Sequence, residues 1–286
     1  MQTGTSLLIR LRSNHGVFPN LASISIKSYH GRNSHRLPTP PLKAPLKPAV
    51  DADPTLVLAL HGFQLDNQRS YTPQVHRVLR DAIVRGSLPP RTALSEAAIA
   101  ETIRLSRTPV REALAQLAEE QLVQITRKVG TVVAPISVSL LEEGRFARST
   151  LECANHVQLA QTIAPEQLDE FAALVDAQRR AVAADDVDAF FELDEAMHRR
   201  LFEFAGHGHV WTLLQPMKRQ FDRVRWLLLD RVAIHARRAL AEHEQLLAQL
   251  AARDFARLGA TVAGHIDRIG GHLPEVRERA PDYFVE

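Results

Sequence analysis

The sequence predicts a mainly α-helical protein with an N-terminal winged helix-turn-helix and a C-terminal all-α helical bundle. Three observations support this prediction. The chain has 286 residues, of which 45% are apolar, so it can bury the cores of two domains. Residues 69–137 combine three helical apolar patterns with one hairpin pattern. Residues 138–275 contain no strand pattern, and amphipathic helical segments follow one another there.

Residues 1–68 are predicted to be a disordered basic extension. The first 50 residues contain seven Lys or Arg and no acid. The proline-rich run from Pro38 to Pro48 lacks amide donors that a helix or a central strand needs. Such an acid-poor start also imitates an organelle transit peptide. A further alternative is that the native start lies downstream and that this segment is never translated. The mass of the native protein distinguishes these alternatives.

Charge is distributed unevenly and indicates where a polyanion would bind. Residues 1–70 carry a balance of +5 and residues 71–137 of +3, whereas residues 138–286 carry −6. The basic front is therefore expected to face nucleic acid. The single cysteine, Cys153, excludes an internal disulfide framework and a multi-cysteine zinc site, and it fits a reducing cytoplasm. No apolar run approaches the ~20 residues that cross a bilayer, so no membrane partner is predicted.

The first helix of the predicted DNA-binding domain begins near Tyr71. Thr72 can cap it, Pro73 suits its first turn, and Gly86 can end it. Its apolar residues recur at helical spacing: Val75, Val78, Leu79, Ala82 and Ile83. After a connector, Ser95 is expected to cap a second helix with the sequence SEAAIAETI.

A third helix and a hairpin complete this domain. Ser106 is expected to cap the third helix by accepting a hydrogen bond from a first-turn amide. Pro109 lies in that turn, where its missing N–H costs little. β-branched residues flank the segment from Arg127 to Gly130, which predicts a hairpin with a basic tip. Helix, helix, turn, helix and hairpin is the order of a winged helix-turn-helix.

The C-terminal bundle is predicted to contain six helices, at residues 139–160, 165–183, 187–205, 209–230, 234–252 and 254–271. Ser139 and Glu142 resemble a capping box at the start of the first one. Residues 276–286 are predicted to be a tail. Four aromatic residues are expected to lie in the core: Phe191, Phe202, Phe221 and Trp226.

Two arginines stand one turn apart at the start of the third helix. Arg107 and Arg111, at i and i+4, project from the same side, and Thr108 adds a hydroxyl beside them. A helix N-terminus with free amides and two guanidinium groups is suited to phosphates and to guanine edges in the major groove. The alternative is a solvated face on which these arginines pair with Glu112 or Glu101.

Four residues of the bundle have the chemistry of a metal site. Asp194 and His198 share one helix face at i and i+4, and His243 and His265 lie on two later helices. Three imidazoles and one carboxylate suit Zn²⁺, Ni²⁺ or Mn²⁺. The alternative is an exposed pair or a set of hydrogen-bonded core histidines, and the spacing alone leaves both open.

Residues 71–136 resemble the DNA-binding domain of the GntR family of bacterial transcription regulators. The run SRTPVREAL, from Ser106 to Leu114, is the most specific match. The other matching residues are Leu79, Ile83, Gly86, Leu88, Pro90, Leu94, Ser95, Glu96, Ala100, Leu117, Leu122, Val123 and Gly130. Three positions depart from the frequent glycine of the family: Arg91, Arg104 and Gln121. Arg104 lies in the turn before the third helix, where it either alters the turn slightly or gains a phosphate contact.

The resemblance implies that the third helix and the hairpin tip contact DNA. Arg127 and Lys128, at the tip, are expected to meet the flanking backbone or the minor groove. The complete set of expected DNA-contacting residues is Arg104, Ser106, Arg107, Thr108, Arg111, Arg127, Lys128 and Gly130.

The bundle resembles the FCD effector domain of FadR-type members of this family. LDEAMHRRLFEFAGHGHV matches that domain's Asp/His helix and the loop after it, and the segment from Glu242 to Ile266 matches its closing helix pair. The resemblance implies that four residues bind a divalent metal: Asp194, His198, His243 and His265. Arg148, in the segment RSTLE, is expected to hold a ligand carboxylate, unless it only pairs with Glu152 at i, i+4.

Together these features predict a transcriptional regulator without enzymatic activity. It is expected to bind a double-stranded DNA operator as a homodimer, in the bacterial cytoplasm at the nucleoid. A small organic acid at the metal site would control the affinity for the operator. One alternative is a metal-dependent enzyme with an attached DNA-binding module. Another is a metal-free regulator whose histidines pack around a larger acyl ligand.

Overall fold

A computed structural model of the protein describes residues 54–228 and 232–286, and the side chains of residues 232–234 are not described. Residues 1–53, which hold most of the predicted basic extension, lie outside the described residues. The predicted fold class is confirmed, because a winged helix-turn-helix is followed by an all-helical domain. We call residues 54–135 the head and residues 136–286 the body.

The head consists of short helices and one hairpin. In chain order its described elements are α1 (Pro54–Ala59), α2 (Tyr71–Val84), α3 (Glu96–Thr102), α4 (Arg107–Glu119), β1 (Val123–Thr126) and β2 (Gly130–Val133). The apolar faces of α2, α3 and α4 meet in a core that includes Leu79, Ile99 and Leu114. Strands β1 and β2 pair antiparallel, with Val123 opposite Val133. The core thus holds α4 against α2 and leaves the N-terminal end of α4 at the surface.

The expectation of disorder over residues 1–68 is wrong for its last part. Residues 54–59 form α1, which packs against α3. Leu56 and Leu60, one helical turn apart, are both buried in the head core. The apolar run LVLAL therefore gains enough burial to fold, whereas the proline-rich composition that suggested disorder ends at Pro48.

Serines stand at the predicted helix starts, but they do not all cap as expected. Ser95 Oγ accepts a hydrogen bond from the Ala98 amide at 3.3 Å. Ser106 occupies the N-cap position of α4, yet its hydroxyl accepts no capping hydrogen bond. The first helix of the body is capped by Ser137, which accepts from Leu140 N, and not by Ser139. The Ser106 hydroxyl is therefore not engaged in capping at the exposed end of α4.

The three departures from glycine all have left-handed backbone. The φ angles of Arg91, Arg104 and Gln121 are 71°, 56° and 58°. The three turns thus keep the backbone conformation that glycine favours. The backbone at Arg104 does not show the altered turn that was one of the two alternatives. A side chain in this region costs about 1–2 kcal/mol relative to ordinary helical backbone.

The body is helical apart from one short pair of strands. In chain order its described elements are β3 (Ile136–Ser137), α5 (Val138–Thr162), α6 (Pro165–Ala183), α7 (Val187–Phe204), α8 (Gly208–Met217), α9 (Arg219–Leu227), α10 (Val232–Ala252), α11 (Phe255–Gly271), α12 (Leu273–Arg279) and β4 (Phe284–Val285). The single helix predicted at 209–230 is two helices, because Pro216 removes a backbone donor where α8 ends. The long α5 packs along α11, and α7 packs on α6 and α8. None of the described helices is both long and apolar enough to cross a membrane.

The predicted tail, residues 276–286, is part of the body. Helix α12 packs on α9 and α11, and it buries Leu273 and Val276. Strand β4 then pairs parallel with β3, with Phe284 opposite Ile136. Both of these side chains lie in the core of the body. The end of the chain therefore holds the segment that joins head and body.

We expect the substitution Gln121→Gly to raise the free energy of unfolding by about 0.5–1 kcal/mol, because relief of the left-handed strain exceeds the entropy that glycine adds to the unfolded chain. Urea unfolding measures the change. The matched control, Ala115→Gly in α4, should instead lower stability by about 1 kcal/mol. A less stable Gln121→Gly protein would show that the left-handed residue is not strained.

Candidate metal centre and nucleic-acid interface

The N-terminal end of α4 presents the predicted DNA-contacting residues to solvent. Ser106, Arg107, Thr108 and Arg111 are all exposed, whereas Val110 on the opposite side of the helix is buried. A helix start with exposed amides, hydroxyls and guanidinium groups attracts phosphate and can reach base edges. The structure therefore gathers the predicted residues of the third helix on one free face.

The predicted pairing of these arginines with nearby acids occurs in a different form. Arg111 Nε lies 3.3 Å from Glu96 Oε2 of α3, on a largely exposed surface. Glu112 instead accepts a hydrogen bond from Thr72 Oγ1 at 2.8 Å. An exposed ion pair contributes only about 0–1 kcal/mol, so Arg111 can exchange Glu96 for a phosphate or a guanine at small cost.

The wing tip and the turn before α4 carry the other predicted residues. Arg127 and Lys128 are exposed between β1 and β2, and Lys128 has a φ of 64°. Gly130 starts β2 with a φ of 135°, a conformation that few other residues adopt. Arg104 is exposed in the turn between α3 and α4. These cationic side chains lie on surface turns, where they can reach a duplex backbone.

The four predicted metal ligands meet inside the body, although they come from three helices. Asp194 and His198 lie on α7, His243 on α10 and His265 on α11, and all are buried. Their ligand atoms lie within 4.8 Å of one another. His243 Nε2 is 3.5 Å from Asp194 Oδ1 and 3.4 Å from His265 Nε2. Ligands bound to one Zn²⁺ at about 2.0–2.2 Å stand roughly 3.3–3.6 Å apart, so the spacing fits a shared cation.

Acceptors on the outer side of each ring orient the imidazoles. His243 Nδ1 donates to Gln178 Oε1 at 2.6 Å, and His265 Nδ1 donates to Glu242 Oε2 at 2.8 Å. His198 Nδ1 lies 2.7 Å from Glu152 Oε2. This arrangement is typical of metal-binding histidines, because it leaves the Nε2 lone pairs directed at one point. At that point His198 Nε2 and Asp194 Oδ1 are buried and make no hydrogen bond within the described residues.

Protonation favours the binding of a cation. Burial lowers the pKa of His243 well below its ordinary value and that of His265 to about 4, so both rings are neutral at pH 7. Burial by itself would raise the pKa of Asp194, but the charge of the neighbouring Arg225 outweighs it and holds that pKa well below its ordinary value. The cluster thus offers two neutral imidazoles, those of His243 and His265, and an ionised carboxylate, which are the forms that bind a metal.

Arg148 pairs with Glu152, which was one of the two alternatives, and it also lines a cavity. Its Nε donates to Glu152 Oε1 at 2.5 Å, and its guanidinium lies 5.2 Å from the Phe221 ring centroid. It also lines a cavity of about 40 Å³ beside the metal cluster. A water needs roughly 10–15 Å³ by this measure, so the cavity has room for about three waters.

The sequence did not indicate the other charged residues of this cavity. Arg225 and Arg268 line it together with Arg148, and His265 reaches it from the metal cluster. The walls are apolar and include Phe191 and Phe221, as well as Leu228, Ile266 and Ile269. Three guanidinium groups among apolar walls favour a small anion with a short hydrocarbon part. No spacing signal pointed to Arg225 or Arg268, because their partners come from other helices.

The aromatic residues only partly follow the expectation that they lie in the core. Phe202 and Phe221 are buried, but Phe191 and Trp226 are only partly so. Phe191 lines the cavity, and its ring stacks on Trp226 at a centroid distance of 4.4 Å. His235 also lines the cavity.

Comparison with known proteins identifies both parts of the chain. Residues 72–133 match the bacterial regulatory proteins of the gntR family, and residues 145–268 match the FCD domain. The HTH-type transcriptional repressor RspR of Escherichia coli (strain K12) is 31% identical over 223 residues, which cover 78% of this chain and 97% of the repressor. This chain belongs to the gntR family. It is a DNA-binding transcriptional regulator with an FCD domain.

Other members of the gntR family show the same relationship at lower identity. The gluconate operon transcriptional repressor of Bacillus subtilis (strain 168) is 26% identical over 72% of this chain and 84% of its own length. Among solved structures, Escherichia coli McbR/YncC has a TM-score of 0.63 at 19% identity, and it covers 74% of this chain and 99% of its own. A transcriptional regulator GntR from Rhodococcus sp. RHA1 has a TM-score of 0.61 at 24% identity. The match covers 72% of this chain and 99% of that one. These two likenesses concern the fold.

The buried imidazoles predict that the metal-free protein loses stability in mild acid. Histidine in the unfolded chain has a pKa of about 6.5, whereas burial lowers the pKa of His156 and of His265 to about 4. Between these values the unfolded chain binds more protons, so stability is full above about pH 6.5 and falls as the pH drops towards 4. Urea midpoints measured across this window report the loss.

The substitution His156→Gln removes one of these titrating groups. It should reduce the slope of unfolding free energy against pH in this window by up to about 1.4 kcal/mol per pH unit, which corresponds to one proton. An unchanged slope in this variant would mean that His156 is not held neutral by burial.

Proposed function

We propose that this regulator binds an operator through the N-terminal end of α4 and the wing, and that a divalent metal and a small organic acid in the body control its affinity. The convergence of four ligand atoms, with acceptors behind the imidazoles, is the observation that carries the proposal. We also propose that it acts as a homodimer on a near-palindromic site, in the bacterial cytoplasm at the nucleoid.

In the proposed complex, α4 enters the major groove. Arg107 and Arg111 would meet guanine edges or phosphates, and Thr108 would reach the flanking phosphate. Arg127 and Lys128 on the wing, together with Arg104 in the turn, would hold the duplex backbone. The support is the exposure of all these side chains on the head and the match of residues 72–133 to the family of regulators.

In the proposed metal site, Asp194, His198, His243 and His265 hold the cation. The donor set of three nitrogens and one oxygen suits Zn²⁺, Ni²⁺ or Mn²⁺. A bound divalent cation with an open coordination position supplies a positively charged anchor for a carboxylate. The fit rests on this chain's own geometry: the ligand spacing, the neutral rings and the buried atoms without hydrogen bonds.

The cavity supports a small acid rather than a larger acyl ligand. Arg148 and Arg268 offer guanidinium groups for a carboxylate, and the space of about 40 Å³ suits a short carbon chain. A metal-dependent enzyme would need a free acid or base near the ligands, but two nearby acids are engaged: Glu242 with His265 and Arg268, and Glu195 with Lys218. These contacts favour ligand binding over turnover.

For the DNA contact, we expect Arg107→Ala and Arg111→Ala each to weaken operator binding by about 1–3 kcal/mol, because a guanidinium–guanine contact is lost. Fluorescence anisotropy with an operator fragment selected from genomic DNA measures the affinity. Arg257→Ala, which removes an exposed arginine of α11, is the matched control and should bind like the wild type. Wild-type affinity in both α4 variants would rule out this interface.

For the metal, we expect elemental analysis to find one divalent ion per chain after purification without chelator. His243→Ala should lose it, because truncation removes one of four ligands. The matched control is His209→Ala, which removes an exposed histidine of α8 and should retain the ion. A wild-type chain free of metal, and unable to take up Zn²⁺, would remove this part of the proposal.

A further inference from the structure

Helix α9 touches both the proposed metal centre and the head. It packs against α5 and α11 in the body, against α2 in the head and against β3 between them. One of its nine residues, Arg225, contacts Asp194 of the proposed metal site. Three others contact the head: Arg219, Arg223 and Trp226. A single short helix thus joins the parts that a ligand-controlled regulator must couple.

At the body end, Arg225 shares the carboxylate of Asp194 with the metal cluster. Arg225 Nη2 donates to Asp194 Oδ2 at 2.7 Å, while Asp194 Oδ1 faces the histidines. The Arg225 guanidinium also lies 4.6 Å from the Phe191 ring centroid. Because Asp194 is fully buried, its negative charge requires a positive charge close by, and Arg225 supplies it.

A second carboxylate lies within reach of Arg225 on its own helix. Asp222 Oδ1 is 3.8 Å from Arg225 Nη1, and it is buried without a hydrogen bond within the described residues. The other oxygen of Asp222 accepts from Lys218 Nζ at 2.6 Å. Arg225 therefore faces two carboxylates at once, Asp194 at hydrogen-bonding distance and Asp222 farther away.

At the head end, an aromatic stack continues from Arg225. The Phe191 ring stacks on Trp226 with an interplanar angle of 22°, and the Arg85 guanidinium lies 5.1 Å from the Trp226 ring centroid. Arg85 also donates to Asp188 Oδ1 at 2.5 Å and to Glu192 Oε1 at 3.2 Å, both on α7. Arg85 is the C-cap of α2, the helix that packs on α4.

Further contacts join α9 to the residues that follow α4 and to Ala134, near the end of the head. Arg219 Nε lies 3.3 Å from Glu120 Oε2, and Gln220 Nε2 donates to the Gln121 carbonyl at 3.3 Å. Arg223 Nη2 donates to the Ala134 carbonyl at 2.8 Å. A small movement of α9 would therefore act on the head at three points, two of them next to the DNA-contacting helix.

We propose that α9 transmits the occupancy of the metal site to the head, with Arg225 as the positioning residue that responds to the charge at Asp194. This inference rests on the proposed metal site. With a divalent cation on the ligand atoms, Arg225 is repelled and its attraction to Asp194 weakens, so that Asp222 becomes the better partner. Trp226 follows Arg225 directly, and the stack with Phe191 and the contact with Arg85 change with it.

The test measures the operator dissociation constant by anisotropy, in metal-free protein and in protein saturated with Zn²⁺ alone. In the wild type we expect the two constants to differ by about 5–150-fold, the usual range of allosteric coupling. We call the quotient of the two constants the metal ratio. In Trp226→Leu and, separately, in Arg85→Met, this ratio should fall to within about twofold of one. Both variants should still bind one metal and should bind the operator when metal-free. Arg85 is exposed, so Arg85→Met keeps the test available if Trp226→Leu does not fold.

The matched control is Arg179→Met, which removes surface ion pairs with Asp176 and Glu244 and should keep the wild-type ratio. Variants that keep the wild-type ratio with metal bound overturn the proposal. A ratio of one in the wild type, if that protein binds both metal and operator, also overturns the proposed transmission. It does not contradict the metal site or the DNA interface. A wild type that takes up no metal contradicts the metal site and the transmission together, whereas absence of operator binding contradicts the DNA interface.

Discussion

The body depends on the pairing of the charges that it buries. Glu152 accepts from Arg148 on α5 and contacts His198 on α7, and Asp194 on α7 pairs with Arg225 on α9. Removing one partner of such a pair costs about 3–5 kcal/mol, since the other charge is left uncompensated in a low dielectric. The contact of Glu152 with His198 therefore fixes α5 relative to α7, and the pair of Asp194 and Arg225 fixes α7 relative to α9. The apolar core holds the helices together, but the buried charges decide how they are aligned around the cluster.

Much of this arrangement could be predicted from residue spacing. SRTPVREAL indicated the helix whose N-terminal end is exposed, and the i, i+4 pair of Asp194 and His198 indicated one side of the cluster. Residue spacing did not predict contacts between helices that are far apart in the sequence. Gln178 supports His243 from α6, and Arg225 reaches Asp194 from α9, yet nothing in the local sequence of either residue shows this. Such contacts follow from the packing of whole helices, which a sequence pattern does not specify.

The errors at element boundaries have a related cause. The predicted disordered extension included Leu56 and Leu60, and the predicted tail included Phe284. Each is buried because a neighbour from another part of the chain supplies an apolar surface. Pro216 is the opposite case, since it was visible in the sequence and lies where the predicted helix is interrupted. The effect of a single residue on the backbone can thus be predicted from the sequence, whereas the burial of a side chain depends on contacts with other parts of the chain.

The buried carboxylate of Asp194 also bears on how the proposed metal site would be coupled to a distant surface at low energetic cost. Because Arg225 already compensates that charge, binding a cation exchanges one positive partner for another and does not introduce a new unpaired charge. The metal-free body can therefore stay folded, and the free energy that separates the two states is only the difference between two compensated arrangements. A difference of this kind lies within the ~1–3 kcal/mol that links binding sites in allosteric proteins. If the proposed coupling holds, an operator that prefers one position of α9 must change the metal affinity by the same factor as the metal changes the operator affinity.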